Sequence, residues 1–263
     1  IPSLDLEGKL ILSDKNTLFM NPDGHGGSLT ALRTSGALKL LQEQGIETLS
    51  YFQVDNPLVK IIDPLFIGFH VMEGAEISSK ALMKAYHEEK TGIFVQFENG
   101  KLGIVEYSDM PEGKIFAKDD NGGILYSAAN PAIHLFRVDF ISSVTGSGSE
   151  NLPFHVAKKK ISAFVDGGQS EITGYKFEKF VFDALPIAEK NIILETRREE
   201  EFAPVKNASG ADSLQTAQGL MNSLYRKWFI AKGVKIPECV KAIEISPLFA
   251  LSEKDIPDGT IIP

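Results

Sequence analysis

The chain has 263 residues, of which 43% are hydrophobic and 24% charged, and its formal net charge at pH 7 is −8. A chain of this length can bury one large core, or one domain with an appendage. The acidic balance argues against nucleic-acid and anionic-membrane partners, because both call for a basic face. The short basic run Lys158–Lys160 is interpreted as a solvated surface, with a phosphate-facing edge as the alternative.

Cys239 is the only cysteine, so no intrachain disulfide can form and no zinc cluster can be built from thiolates. This fits a reducing cytoplasm. No apolar run approaches the length of a membrane span, and the N-terminus lacks the pattern of a signal peptide. We therefore expect a cytoplasmic protein. The first residue is Ile1 rather than Met, which we interpret as a processed, truncated or excised chain.

The first third of the chain reads as strand, glycine-rich turn, helix and strand. Thr17–Met20 is predicted as a short strand that enters the turn Asn21–Gly27. Ser28 is predicted to cap a helix that runs to about Gln44, and Ile46–Val54 is predicted as the next strand. This order suits a fold that holds a phosphorylated nucleotide over the carboxyl ends of parallel strands.

The glycine turn has a chemical interpretation and a plain one. Gly24, Gly26 and Gly27 allow a ligand to approach the backbone, and the following helix directs free N–H groups at a phosphate. Asp55, at the end of the next strand, could then hold the metal that such phosphates carry. The spacing is neither the dinucleotide fingerprint nor a P-loop, so on spacing alone an ordinary turn is favoured.

The rest of the chain alternates predicted strands and helices. The Asp63-Pro64 pair predicts a helix over Pro64–Glu73. Asn99-Gly100 between two apolar runs predicts a hairpin of Gly92–Phe97 and Leu102–Tyr107. Further predictions are a turn at Asp119–Gly123, strands at Ile124–Asn130, Asn191–Thr196 and Ile243–Ile245, a loop at 145–149, helices at Tyr175–Ala188 and Leu214–Ala231, and a solvated acidic turn at Glu199–Glu201. This alternation indicates an α/β sheet with an inserted hairpin.

Five motifs stand in order along the chain: Asn21–Gly27, Val54–Asn56, Ile104–Asp109, Phe177–Asp183 and Phe202–Ala208. Together they resemble the UDP-sugar pyrophosphorylase family, most closely its UDP-N-acetylhexosamine branch. The resemblance covers nearly the whole chain.

The resemblance implies a fold, a reaction and a cofactor. The fold would be a Rossmann-like, GT-A-like nucleotidyltransferase with a mixed sheet flanked by helices, an inserted hairpin region and a small C-terminal element. Residues 1–208 would form the catalytic domain, N-terminally incomplete, and residues 209–263 a helix with an irregular region. Members transfer a uridylyl group from UTP to a sugar 1-phosphate and release pyrophosphate, assisted by Mg²⁺.

Two departures from the family pattern qualify these expectations. The family's Gly-x-Gly-Thr-Arg loop, with a downstream catalytic lysine, is absent from this sequence. We therefore expect negligible turnover from the chain alone. The second departure is His25, where the acetylhexosamine branch more usually has Asn and the UDP-glucose branch has His.

At the nucleotide end, the resemblance implies that Gly24 backs the uracil ring and that His25 lines the same pocket. Asp55 would bind the Mg²⁺ that bridges the nucleotide and sugar phosphates. The plain alternatives are a turn glycine, a capping or surface histidine, and a carboxylate that caps the turn at Asn56.

At the sugar end, the resemblance implies that Glu106 and Asn130 hydrogen-bond hydroxyls, and that Gly92 makes a backbone contact near the N-acetyl group. Lys206 would place its ammonium group against the phosphates. The plain alternatives are a strand carboxylate on the solvent face for Glu106 and a surface lysine for Lys206. Alternative functions are a UTP–glucose-1-phosphate uridylyltransferase, a broad UDP-sugar pyrophosphorylase, and a non-catalytic sugar-nucleotide-binding module.

Overall fold

The computed structural model describes residues 1–146 and 152–261. Most of the loop predicted at 145–149 therefore lies outside the described residues. The described strands are β1 (Leu4–Asp5), β2 (Leu12–Asp14), β3 (Thr17–Leu18), β4 (Thr48–Tyr51), β5 (Ile77–Met83), β6 (Ile93–Gln96), β7 (Leu102–Val105), β8 (Ala128–Ala129), β9 (His134–Arg137), β10 (His155–Val165), β11 (Gly168–Glu178) and β12 (Asn191–Glu195).

The described α-helices are α1 (Gly27–Thr34), α2 (Ala37–Glu43), α3 (Pro64–Glu73), α4 (Glu112–Ile115), α5 (Val138–Val144), α6 (Arg198–Glu201) and α7 (Leu214–Ala231). Two short 3₁₀ segments cover Val181–Ala184 and Glu253–Asp255. No described helix combines the length and the apolar character that crossing a membrane requires.

Seven strands form the main sheet, in the order β4-β9-β5-β8-β6-β7, with β12 also paired to β5. The β5–β12 pair is parallel and the other pairs are antiparallel, so the sheet is mixed. Its core joins Ile77 and Phe136 of the sheet to Leu29, Leu38 and Ile141 of three helices. These features confirm the predicted α/β class with a mixed sheet and flanking helices.

Strands β1, β11 and β10 form a separate antiparallel sheet, and β2 pairs with β3. Helix α7 packs on Leu58 and Ala203 through Ala217 and Leu224. Because this cluster joins residues on both sides of position 208, the division into 1–208 and 209–263 stays a prediction.

Several predicted elements agree with the structure. Helix α3 spans Pro64–Glu73, as predicted, and the Asp63 carboxylate accepts hydrogen bonds from the backbone N–H groups of Leu65 and Phe66. Helix α7 spans Leu214–Ala231, as predicted. The β6–β7 hairpin confirms the Asn99-Gly100 turn, and Gly100 has the left-handed φ of 79° that such a turn needs.

The single helix predicted from Ser28 to Gln44 is wrong. Gly36 adopts a φ of 81°, which interrupts the helix and separates α1 from α2. Ser28 is not a cap. It lies inside α1, where its hydroxyl donates to the carbonyl oxygen of His25 at 2.7 Å.

The helix predicted over Tyr175–Ala188 is also wrong. Its first part belongs to β11, which pairs with β10 over eleven residues, and only Val181–Ala184 forms a turn of 3₁₀ helix. Short apolar runs fit both periodicities, so long-range pairing decides between them. Gly174 of β11 shows how closely the paired strands approach, because a Cβ there would lie 2.7 Å from the Leu4 carbonyl oxygen of β1.

Three smaller predictions fail in whole or in part. Ile243–Ile245 form no strand, and Ile245 instead packs against Phe229 of α7. The Glu199–Glu201 segment is not a solvated turn throughout, because the Glu201 side chain is buried. The strand predicted at Ile124–Asn130 is limited to Ala128–Ala129.

Glu201 lies in a buried ion cluster around Lys80, a fully buried residue of β5. Lys80 Nζ is 2.6 Å from Asp63 Oδ2 and also contacts the Glu201 carboxylate. Thr196 Oγ1 donates to Glu201 Oε1 at 2.6 Å, and Lys60 Nζ lies 3.4 Å from the same oxygen. Burial raises the pKa of Asp63, but the hydrogen bond and charge of Lys80 outweigh burial, so this pKa lies below its usual value.

We expect Glu201→Gln to destabilise the fold by about 3 kcal/mol, because it removes one carboxylate from a buried ammonium group. Glu200→Gln is the matched control. Glu200 is adjacent and half exposed, and we expect a change within about 0.5 kcal/mol. Urea unfolding of both variants measures the difference, and equal losses would contradict the buried-cluster assignment.

Candidate functional site

A cavity of about 580 Å³ opens where several strands of the main sheet end. Six of the seven residues predicted to bind ligand line this cavity: His25, Asp55, Gly92, Glu106, Asn130 and Lys206. The sequence separates these residues by up to 181 positions, so the fold is what brings them together. Gly24 is the exception and does not line the cavity.

Asp55 follows β4, whose last residue Tyr51 lies opposite His134 of β9. The next residue, Asn56, is buried, and its Nδ2 donates to the Glu201 carbonyl oxygen at 2.7 Å. Asn56 Oδ1 accepts from the backbone N–H of Ala203 at 3.0 Å. Asn56 therefore fixes the loop that carries Asp55 against the segment that follows Glu201.

Lys206 belongs to the same segment after Glu201, and it lines the cavity. The backbone N–H of Val205 donates to the Asp55 carbonyl oxygen at 2.9 Å, which ties the two loops together next to both charged residues. The backbone N–H of Lys206 donates to the Asp212 carbonyl oxygen at 2.7 Å. In the described part of the chain, neither the Asp55 carboxylate nor the Lys206 ammonium group has a hydrogen-bond or ion-pair partner.

Gly92, Glu106 and Asn130 lie side by side across three strands. Ile93 of β6 pairs with Val105 of β7 and with Ala129 of β8. The pairs are antiparallel, so Gly92, which precedes Ile93, lies opposite Glu106 and Asn130, which follow Val105 and Ala129. The backbone N–H of Asn130 donates to the Gly92 carbonyl oxygen at 2.8 Å. Asn130 Oδ1 accepts from the backbone N–H of Ala132, which leaves its Nδ2 for another partner.

The Glu106 carboxylate covers Gly92. A Cβ added to Gly92 would lie 2.9 Å from Glu106 Oε1 and 2.8 Å from Ile104 Cγ2, so a side chain at this position would force these groups to move. Burial raises the pKa of Glu106, the charge of Asp109 adds to this rise, and Lys206 opposes it. Glu106 is half-buried and its carboxylate has no hydrogen-bond partner among the described residues, which does not fit a simple solvent-facing strand carboxylate.

His25 lies within a stack of rings on the cavity wall. Its ring stacks on Phe180, with centroids 5.1 Å apart, and Phe180 in turn lies 4.4 Å from the ring of His155. His25 Nδ1 accepts from the backbone N–H of Val181 at 3.1 Å, so the proton of the neutral ring is on Nε2. Burial lowers the pKa of His25, and His155 lowers it further.

Gly24 packs against the polypeptide rather than the cavity. Its φ is 81°, and a Cβ there would lie 2.4 Å from the Lys179 carbonyl oxygen. Gly26 also donates its backbone N–H to that oxygen at 2.7 Å. The close approach that requires glycine at position 24 is thus an approach of the chain to itself.

Sequence reasoning missed several residues on the cavity wall, of which His134, Tyr51 and the Phe180–Phe182 pair are the most prominent. His134 is buried, and its Nδ1 lies 2.8 Å from Ser79 Oγ. The signal for His134 was a polar residue at the start of an apolar strand. Phe180 and Phe182 pack in the hydrophobic core and also line the cavity, so their apolar character alone does not reveal the second role.

The described residues contain no group of three or more His, Cys, Asp or Glu arranged around a possible metal ion. The Asp55 carboxylate is at the cavity, and neither of its oxygens is engaged by described residues. One protein carboxylate, with phosphates and water as the other ligands, is a common way to hold Mg²⁺. The donor set at Asp55 is therefore compatible with an ion that arrives with a phosphorylated ligand.

Comparison with known proteins agrees with the sequence motifs. Residues 1–254 match a family described as UTP–glucose-1-phosphate uridylyltransferase. The chain is 34% identical to UDP-N-acetylglucosamine diphosphorylase 2 of Arabidopsis thaliana, over 97% of this chain and 52% of that protein. It is 36% identical to human UDP-N-acetylhexosamine pyrophosphorylase-like protein 1, over 89% of this chain and 47% of that protein. The chain thus spans about half the length of these relatives.

Solved structures show the same fold. The UDP-N-acetylglucosamine pyrophosphorylase of Trypanosoma brucei superimposes with a TM-score of 0.86 at 26% identity, covering 97% of this chain and 55% of that one. A UDP-glucose pyrophosphorylase of Leishmania major gives a TM-score of 0.64 at 20% identity, covering 84% of this chain and 46% of that one. The chain therefore belongs to the UTP–glucose-1-phosphate uridylyltransferase family, and its resemblance to the UDP-sugar pyrophosphorylases is confirmed.

Proposed function

We propose that this chain forms the sugar- and metal-binding portion of a uridylyltransferase that makes UDP-N-acetylhexosamine and pyrophosphate from UTP and N-acetylhexosamine 1-phosphate. One observation carries the proposal: Asp55, Lys206 and Glu106 line the same cavity, and the charged groups of their side chains have no hydrogen-bond or ion-pair partner among the described residues. Asp55 and Glu106 are partly buried, and a partly buried carboxylate without a partner favours a ligand that satisfies it. Lys206 is exposed and lines the same cavity. Family membership supports the same choice of ligand.

The reaction needs positioning and charge more than covalent chemistry. A phosphate oxygen of the sugar phosphate forms a bond to the α-phosphorus of UTP, and the bond from that phosphorus to the bridging oxygen breaks as pyrophosphate leaves. Lys206 would hold the phosphates and offset their negative charge. Glu106 would accept hydrogen bonds from sugar hydroxyls, and Asn130 Nδ2 would donate one, which fixes the ring relative to the α-phosphorus.

Asp55 would hold the Mg²⁺ that the phosphates carry. When bound, this ion neutralises charge on the transferring phosphoryl group. His25 would donate from Nε2 to the ligand at the ring-lined wall. The single cysteine, Cys239, supports a location in the reducing cytoplasm.

The direct test is isothermal titration calorimetry with UDP-N-acetylglucosamine and Mg²⁺. We expect binding, and its absence would contradict the proposal. Pyrophosphate release from UTP and N-acetylglucosamine 1-phosphate is measured in parallel. We expect negligible turnover from this chain alone, so binding without pyrophosphate release agrees with both an enzyme portion and a non-catalytic binding module, whereas turnover would exclude the module.

A second candidate is transfer to glucose 1-phosphate. The description of the matched family favours it, and so does His25, which resembles the UDP-glucose branch. Calorimetry with UDP-glucose and with UDP-N-acetylglucosamine separates the two without requiring turnover. We expect UDP-N-acetylglucosamine to bind more tightly, and tighter binding of UDP-glucose would overturn the choice of sugar.

We expect Asp55→Asn to remove the effect of Mg²⁺ on UDP-N-acetylglucosamine affinity, because an amide oxygen binds the ion far more weakly than a carboxylate. In the unmodified chain, EDTA should weaken binding by about tenfold, close to 1.4 kcal/mol. Asp212→Asn is the control, since Asp212 also lines the cavity and its left-handed φ of 51° tolerates Asn. Loss of the Mg²⁺ effect in Asp212→Asn alone would move the metal assignment to Asp212.

We expect Gly92→Ala to weaken UDP-N-acetylglucosamine binding by about tenfold and to leave UMP binding unchanged. The added methyl group would displace the Glu106 carboxylate, which we assign to the sugar, and a hydrogen bond to a charged group contributes roughly this much. Gly219→Ala serves as control, because no atom lies within 4 Å of a Cβ at that position. Equal losses for UMP and the nucleotide sugar would show that Glu106 does not serve the sugar.

A further inference from the structure

Two buried histidines contact neighbouring serines of β5 in the same way. His70 Nδ1 lies 2.6 Å from Ser78 Oγ, and His134 Nδ1 lies 2.8 Å from Ser79 Oγ. Their exposed fractions are 2% and 1%. In both rings Nε2 lacks a hydrogen-bond partner within the part of the chain that the structure describes. Buried polar atoms are normally paired, so each exception calls for an explanation.

The two histidines differ in what surrounds them. Ser78 and Ser79 are consecutive in a strand, so their side chains lie on opposite faces of the sheet. His70 belongs to α3 and does not line the cavity. His134 lines it, four residues after Asn130 and opposite Tyr51 in the β4–β9 register. Ser79 occupies Nδ1, so Nε2 is the ring nitrogen that remains for a ligand.

The charge state of His134 limits what this ligand group can be. Burial lowers the pKa of His134 to about 3, with a further contribution from His25, so the ring is neutral at physiological pH. A neutral imidazole is a weak partner for a phosphate, and the cavity offers Lys206 for that purpose. An uncharged polar group suits the His134 ring better.

The hydrogen bond with Ser79 further limits the type of ligand group that can pair with His134 Nε2. If Nδ1 donates to Ser79 Oγ, then Nε2 accepts, and if the hydroxyl of Ser79 donates, then Nε2 carries the proton and donates. A ligand hydroxyl can pair with either form, because it both donates and accepts. A carbonyl oxygen pairs with only one of them.

We propose that His134 Nε2 hydrogen-bonds a hydroxyl group of the ligand that occupies the cavity. This inference rests on the proposed function, which supplies a nucleotide sugar with hydroxyls on both its ribose and its hexose. His134 would thus be a positioning and specificity residue at the uncharged wall, separate from the charged groups Asp55 and Lys206.

The experiment compares His134→Phe with His70→Phe by calorimetry with UDP-N-acetylglucosamine. Phenylalanine fills a similar volume and removes both ring nitrogens, so each variant loses one serine hydrogen bond and one unpaired nitrogen. We expect about tenfold weaker binding for His134→Phe, and unchanged affinity for His70→Phe despite a similar fall in melting temperature. His134→Gln, whose amide can approach the position of Nε2, should recover part of the affinity.

Two smaller ligands locate the hydroxyl. If the loss in His134→Phe appears with UMP, the hydroxyl belongs to the ribose, and if it appears with N-acetylglucosamine 1-phosphate, the hydroxyl belongs to the hexose. Both results support the proposal. Equal affinity of the unmodified chain and His134→Phe for every ligand overturns it while leaving the proposed function intact. Failure of the unmodified chain to bind UDP-N-acetylglucosamine overturns both.

A second measurement needs no folded His134→Phe protein. In the unmodified chain, the nitrogen-15 resonance of His134 Nε2 should shift when UDP-N-acetylglucosamine is added, and that of His70 Nε2 should not. A His134 resonance that stays in place while the ligand binds overturns the proposal.

Discussion

The buried ammonium group of Lys80, in β5 of the main sheet, contacts the carboxylates of Asp63 and Glu201. This ion cluster constrains much of the molecule. A buried charge is tolerated only where partners compensate it, so the three residues must stay together. Asp63 also caps α3, and Glu201 ends α6. The cluster therefore fixes the start of one helix and the end of another relative to the centre of β5.

The same cluster determines where the charged residues of the cavity lie. The Glu201 backbone accepts a hydrogen bond from Asn56, and Asn56 holds Ala203 in turn, so the loop after β4 and the loop after α6 cannot separate. Asp55 and Lys206 are carried on these two loops. The interaction that orders the sheet interior thus also orders the polar end of the cavity, and a ligand meets groups that are already in place.

The elements that the sequence predicts correctly are those whose structure is determined by residues a few positions apart. Pro64–Glu73 and the Asn99-Gly100 hairpin were predictable because a cap or a turn residue decides them within a few positions. β5 was not predicted, because its sequence contains Lys80, whose partners lie 17 and 121 residues away. β11 was predicted as a helix because only its pairing with β10 distinguishes the two structures. Four of the predicted cavity residues, His25, Asp55, Glu106 and Lys206, lie in the family motifs, whereas His134 belongs to none of them.

The positions of the charged residues on the cavity wall explain why they do not form ion pairs with one another. Lys206 could neutralise Asp55 or Glu106 if the side chains could meet, yet no such ion pair forms among the described residues. Backbone hydrogen bonds hold Lys206 to Asp212 and hold Val205 to Asp55, while Glu106 rests over Gly92 on a different part of the sheet. The loop hydrogen bonds and the pairing of β6 with β7 hold these groups at separate positions. A ligand that is anionic at one end and rich in hydroxyls at the other would satisfy the charged groups and the neutral rings together, which neither a simple anion nor an uncharged sugar can do.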